Sequence, residues 1–137
     1  MAKFEPKLGQ RSTDYKDFQE GAQEAVIARA QLTQTNDGTR DMLKLRLTGD
    51  EGESGFYNIT FGDELGVEQL MFTLTSIMEN GFEIPEDIDW GYNTETAEFL
   101  KGKPVYVEVK NKTFKGQTRG NITRILNQEE FDAFYEG

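Results

Sequence analysis

Met42-Leu43-Lys44-Leu45-Arg46-Leu47-Thr48 alternates apolar and polar side chains at every step. Successive side chains of an extended strand point to opposite faces, so a period of two predicts a strand. Leu43, Leu45 and Leu47 turn inward; Lys44 and Arg46 turn outward. Upstream, Ala25–Thr33 alternates as well and places Val26, Ala28, Ala30 and Leu32 on one face. Asn36-Asp37-Gly38 between the two segments is a tight-turn signal. Downstream, the loop Gly49–Glu53 leads into Gly55–Phe61, where burial of Tyr57, Ile59 and Phe61 turns Phe56, Asn58 and Thr60 outward. The first half of the chain thus reads as a meander of three antiparallel strands.

The period then changes. Val67, Leu70, Met71, Leu74, Ile77 and Met78 recur at helical spacing, and Asn80-Gly81 supplies a stop. Phe82–Asn93, with Pro85, Trp90, Gly91 and four carboxylates, reads as a long ordered loop anchored by its aromatics. Thr94 caps a short helix through Leu100, ended by Gly102 and Pro104. Val105, Val107 and Val109 define a fourth strand, with Tyr106, Glu108 and Lys110 on its other face. Lys112–Gly116 is a basic hairpin loop, and Gln117–Leu126 the fifth strand. Five strands with a helix inserted between the third and fourth predict a mainly β fold, a five-stranded Greek-key barrel of the OB type. An open sheet with a helix packed on one face is the alternative. Residues 1–20 form an N-terminal arm, residues 21–126 the domain, and residues 127–137 an acidic, aromatic tail or short helix. In the helical reading Asn127 is the cap, and Phe131 and Phe134 pack on the barrel. In the other, the tail docks on partner proteins or shields a basic groove.

The chain's 137 residues and 15.6 kDa make one domain, and its mean hydropathy is −0.68. It has no Cys and no His, which excludes disulfide scaffolds, zinc ribbons, Cys nucleophiles and His-based triads. The carboxylates Glu83, Glu86, Asp87 and Asp89 fit no loop of alternating oxygen ligands, and Gly49, Gly52 and Gly55 precede no phosphate-loop Lys. No catalytic residue, metal ligand or cofactor site is expected. Neither a signal peptide nor a membrane span is legible, so a cytoplasmic protein is expected and the sequons at Asn58, Asn111 and Asn121 read as chance.

Fifteen Lys and Arg against twenty-five Asp and Glu give a net charge of −10, but the charge is segregated. Residues 48–100 hold thirteen carboxylates and no Lys or Arg; residues 101–126 hold seven basic groups against Glu108 alone. A basic stripe outweighs net charge as a guide to partners. The outward strand positions combine Arg29, Lys44, Arg46, Lys110, Lys112, Lys115 and Arg119 with Phe56, Tyr106 and Phe114. Cations neutralise phosphates while flat rings stack on unpaired bases, so such a surface suits single-stranded nucleic acid. Each such residue has an ordinary reading as a solvated cation or cross-strand filler; the segregation favours the binding face.

The run Gly38–Phe61, the Phe61-Gly62-x-Glu64-Leu65 element, Leu100-Lys101-Gly102-Lys103-Pro104-Val105-Tyr106-Val107 and Phe114-Lys115-Gly116-Gln117 resemble a family of bacteriophage OB-fold single-stranded DNA-binding proteins, found mostly in phages of Gram-positive bacteria. The similarity spans roughly residues 21–126. It implies sequence-independent binding of single-stranded DNA in phage replication and recombination, in host cytoplasm. It further implies a homodimer or higher oligomer and a recombinase or replication protein as partner. The chain's end, Tyr135-Glu136-Gly137, differs from the terminal tip of bacterial single-strand binders. A second reading takes the acidic residues 48–100 as a DNA mimic that occupies a basic protein.

Overall fold

The computed structural model describes residues 3–4 and 17–136. In chain order these form β1 (Gly21–Gln34), β2 (Asp41–Thr48), β3 (Ser54–Thr60), α1 (Glu64–Glu79), α2 (Thr94–Leu100), β4 (Pro104–Phe114), β5 (Gln117–Leu126) and α3 (Gln128–Glu136). All strand pairs are antiparallel, in the order β3-β2-β1-β4-β5, and the sheet curls into a nearly closed barrel of the OB type with α1 between β3 and β4. Of the arm expected at residues 1–20, residues 1–2 and 5–16 lie outside the described residues. No helix among the described residues is long and apolar enough to cross a membrane.

Alternation builds the core. Leu43, Leu45 and Leu47 of β2, Tyr57 and Ile59 of β3, and Val105, Val107 and Val109 of β4 are buried in one cluster. Each fully buried aliphatic side chain contributes about 1.5–3 kcal/mol relative to exposure. The expected face of β1 is corrected. Ala25 and Ile27 are buried, whereas Val26 and Ala28 are exposed. Ile27 pairs with Leu47 and Arg29 with Arg46, so Ala28 is an extra residue, a β-bulge. The bulge flips the phase, and beyond it Ala30 and Leu32 pack against the core as expected.

β3 and β5, the two edges of the sheet, meet across a seam without a hydrogen-bonded ladder. A Cβ on Gly55 would lie 2.9 Å from Ile122 Cδ1, and one on Gly120 would overlap the carbonyl oxygen of Phe18. At Gly120 only glycine permits the Phe18 backbone to come this close, whereas at Gly55 it is the Ile122 side chain that fills the space. Phe18, 2% exposed, fills the seam, although an isolated aromatic carries no period by which sequence could place it.

Asp63 Oδ1 caps α1 by accepting from the amides of Leu65 (3.1 Å) and Gly66 (3.3 Å). The helix buries Gly66, Leu70, Thr73, Leu74, Ser76 and Ile77, while Val67, Met71 and Met78 stay exposed. This rotates the expected stripe toward small residues, which let the helix approach the barrel. Ser76 Oγ accepts the Tyr106 amide of β4 at 2.8 Å, so its polarity is satisfied. The loop to α2 is pinned by its aromatics, as expected. Trp90 meets Phe99 edge-on at 5.1 Å, and Tyr92 OH donates to Thr33 O at 2.8 Å. Asn93, not Thr94, caps α2, its Oδ1 accepting from the Thr96 amide at 2.9 Å.

The β4–β5 turn is tighter than expected. β4 runs through Phe114, leaving only Lys115 (φ 52°) and Gly116 (φ 79°) as a two-residue turn. Positive φ at both positions is the twist-matched hairpin geometry. The tail is a helix. Asn127 Oδ1 accepts from the Glu130 amide (2.8 Å) while Glu130 Oε1 accepts from the Asn127 amide (3.1 Å), a reciprocal capping box. Phe131 stacks on Tyr106 at 4.3 Å, and Tyr135 OH donates to Ala22 O.

Candidate nucleic-acid interface

Where β1, β2 and β3 pair, strand register places their outward residues in four rows, and Glu24, exposed on the same face of β1, lies beyond the first of them opposite Tyr106. The rows are Val26–Thr48–Ser54, Arg29–Arg46–Phe56, Gln31–Lys44–Asn58 and Thr33–Met42–Thr60. No carboxylate stands in any of them, although the chain carries twenty-five. The acids of residues 48–100 lie instead in the β2–β3 loop, at the start of α1 and along it, in the loop after it and on α2.

The second row holds the strongest feature. Arg29 and Arg46 face each other directly across β1 and β2. Like charges so placed repel, at a cost of a few tenths of a kcal/mol to about 1 kcal/mol. Among the described residues neither has an acidic partner; Arg46 Nε donates only to Ser54 Oγ at 3.2 Å. Phe56, opposite Arg46, is 55% exposed, and Lys44 Nζ lies 4.7 Å from its ring centroid. Sequence reading named Arg29, Lys44, Arg46 and Phe56, and the fold brings all four together. It named Asn58 only as an outward residue and did not name Gln31; strand register sets the amides of both beside Lys44.

The β4–β5 hairpin repeats the pattern. Lys112 faces Arg119 directly, both are exposed, and neither has an acidic partner among the described residues. Thr113 and Thr118 share a hydroxyl hydrogen bond of 2.9 Å in the next pair. Lys115 occupies the turn. A groove of about 290 Å³ along the β3–β5 seam is lined by Phe56 and Arg119, together with Asp17 and Asn121, and so joins the hairpin to the sheet face.

Two expected residues fall elsewhere, and one lies beyond description. Tyr106 points outward from β4, but α3 covers it: it is 7% exposed beneath Phe131, and its hydroxyl donates to Gln128 Oε1 at 2.7 Å. Burial, reinforced by nearby Glu24, Asp132 and Glu79, pushes its phenol pKa up. Lys110 is exposed but lies 3.8 Å from Glu108 Oε1. The Phe114 side chain lies outside the described residues.

Glu108 itself belongs to a structural network. Arg124, opposite it on β5, donates through Nε and Nη2 to its two oxygens at 3.2 Å each, and Thr123 Oγ1 adds a bond of 3.0 Å. Burial would raise the Glu108 pKa, but the bonds from Arg124 and Thr123 and the charges of Arg124 and Lys110 outweigh it and hold it below the ordinary value. Arg124 Nη1 also donates to Glu130 Oε2 at 3.0 Å, tying α3 to the sheet. Where β1 turns into β2, Asp37 Oδ1 accepts from Thr35 Oγ1 (2.6 Å), Thr39 Oγ1 (2.8 Å) and the Thr39 amide (3.1 Å). The Thr35 hydroxyl and the other donors hold its pKa near 2, fixing the turn rather than supplying an acid or base.

The assembled surface offers cations, an exposed ring, amides and hydroxyls. No protein-family model and no curated protein matches the chain.

Proposed function

We propose that the protein binds single-stranded DNA without sequence preference, across the outer face of β1, β2 and β3 and along the β4–β5 hairpin. One observation carries this reading: on a strongly acidic chain the four paired rows of β1, β2 and β3 hold no carboxylate and set Arg29 and Arg46 in direct opposition. A polyanion laid between such cations relieves their repulsion, which no acidic side chain among the described residues does. In this mechanism Arg29, Arg46, Lys44, Lys112 and Arg119 neutralise phosphates and release counterions. Phe56 stacks on a base, contributing about 1–3 kcal/mol whatever the base. Gln31 and Asn58 supply hydrogen bonds. Stacking on Phe56 needs an unstacked base, which a duplex does not offer, so single strands are the preferred ligand. The biological setting we infer, on the family resemblance, is phage DNA replication and recombination beside a recombinase or replication protein, with the chain as a homodimer or higher oligomer.

Fluorescence anisotropy of a labelled single strand against its duplex, across a salt series, tests the reading. Tight binding to the single strand is expected, with a log–log salt slope of about 0.7 per phosphate contacted. Absence of binding at low salt, or equal affinity for duplex, would falsify it.

A further inference from the structure

Half of the large apolar side chains exposed among the described residues lie on α1 and the turn after it: Leu65, Val67, Met71, Met78 and Phe82. Phe82 has a partner, since Lys103 Nζ sits 5.6 Å from its ring centroid. Val67 (53% exposed), Met71 (40%) and Met78 (52%) are spaced by four and seven residues, which aligns them along one edge of the helix. The adjacent strip of helical surface carries Glu64, Glu68 and Glu79. No Lys or Arg stands anywhere in residues 48–100 to neutralise them.

We propose that this face of α1 docks a basic amphipathic segment of a partner protein. Apolar anchors of that segment, spaced i, i+4, would cover Val67, Met71 and Met78, and its Lys or Arg side chains would meet Glu64 and Glu68. Charge selects this occupant. A second copy of the chain on the same face would bring only the same carboxylates, Glu64, Glu68 and Glu79, and no Lys or Arg of α1 to answer them, whereas a basic segment supplies the opposite charge. Nucleic acid is repelled by the same carboxylates. The site lies on α1, which contributes nothing to the face proposed for DNA, so either proposal can fail alone.

The test uses the full chain, without nucleic acid, and two labelled synthetic peptides of identical composition. One is a helix with leucines every three to four residues and lysines over the rest of its surface; the other is a scramble. Fluorescence anisotropy is expected to show roughly tenfold tighter binding of the amphipathic peptide, with the preference lost in Met71→Ser/Met78→Ser. Glu64→Gln/Glu68→Gln should weaken binding and flatten its salt dependence. Val67→Lys, at a well-exposed position, repeats the test without touching either Met, and circular dichroism checks that each variant is folded. Equal affinity for the two peptides would mean that charge alone attracts them and would overturn the proposal. Retained preference in the Ser and Lys variants would overturn it as well. Self-association in sedimentation that the Ser variant abolishes would assign the face to a second copy, with the same consequence.

Discussion

The two ends of the β4–β5 ribbon use cross-strand charge in opposite ways. At the base Glu108 faces Arg124, the pair is doubly hydrogen bonded, and Glu130 of α3 extends it. At the tip Lys112 faces Arg119, exposed and without an acidic partner among the described residues. Both pairs belong to one antiparallel ladder, with a bulge at Thr123 between them, and each sets two side chains in direct opposition. Charges at the base hold the fold together, whereas the Lys112/Arg119 and Arg29/Arg46 pairs oppose it slightly, and the proposed function assigns them to a ligand. A residue at the base should therefore matter to melting and not to binding, and a residue at the tip or on the face the reverse.

The largest effect expected is on binding. Reversing both face cations, Arg29→Glu/Arg46→Glu, should weaken single-strand affinity at least a hundredfold, about 2.7 kcal/mol, while the melting temperature stays near the parent's. Anisotropy and a thermal melt check both halves; a large fall in stability with unchanged affinity would erase the contrast. Next in size is Arg124→Met, which leaves the nearly buried Glu108 with Thr123 and Lys110 alone. A loss of about 2 kcal/mol is expected, at the low end for a broken pair because Arg124 is half-exposed, with DNA affinity unchanged. The pH dependence sharpens this. A carboxylate whose folded pKa is depressed stabilises the fold above its unfolded value, ordinarily 4.5, and loses that contribution as pH falls through the lower folded value. The gap between parent and Arg124→Met should therefore be full at neutral pH and close as the solution is acidified below 4.5.

Phe56→Ala should reduce single-strand affinity about tenfold, the lower part of the range for one stacked base, and should reduce it equally for all sequences. Sequence-dependent loss in a panel of homopolymers would move Phe56 from stacking to another role. Smallest is Lys112→Gln. Relief of repulsion with Arg119 should raise stability by a few tenths of a kcal/mol in denaturant titration, while the salt slope of DNA binding falls by about 0.7.

The barrel was largely legible because β2 and β4 alternate without interruption over Leu43–Leu47 and Val105–Val109, each burying one face. β1 was legible as a strand but only partly as a face, since the bulge at Ala28 adds one residue and a period-of-two reading has no room for it. The helix was placed correctly, but its stripe was rotated because Gly66, Thr73 and Ser76 do not read as apolar though all are buried. For the site, Arg29, Lys44, Arg46 and Phe56 follow from alternation alone. Tyr106 was misread because its cover, Phe131, comes from a helix twenty-five positions further on, and strand alternation reports the side of a sheet without reporting what lies on it. The repulsive pairing of Lys112 with Arg119 depends on the two-residue turn at Lys115-Gly116; the longer loop expected from sequence leaves that register undefined.

The seam between β3 and β5 has a consequence for aggregation. Every barrel closed by hydrogen bonds hides its edges, but here one side chain and a strip of backbone at Phe18 stand where a ladder would be. Phe18 thus acts as a guard against edge-to-edge association. A chain cut just after it is expected to keep all five strands but leave the edges of β3 and β5 uncovered, so its concentration-dependent aggregation, read by light scattering, should exceed the parent's.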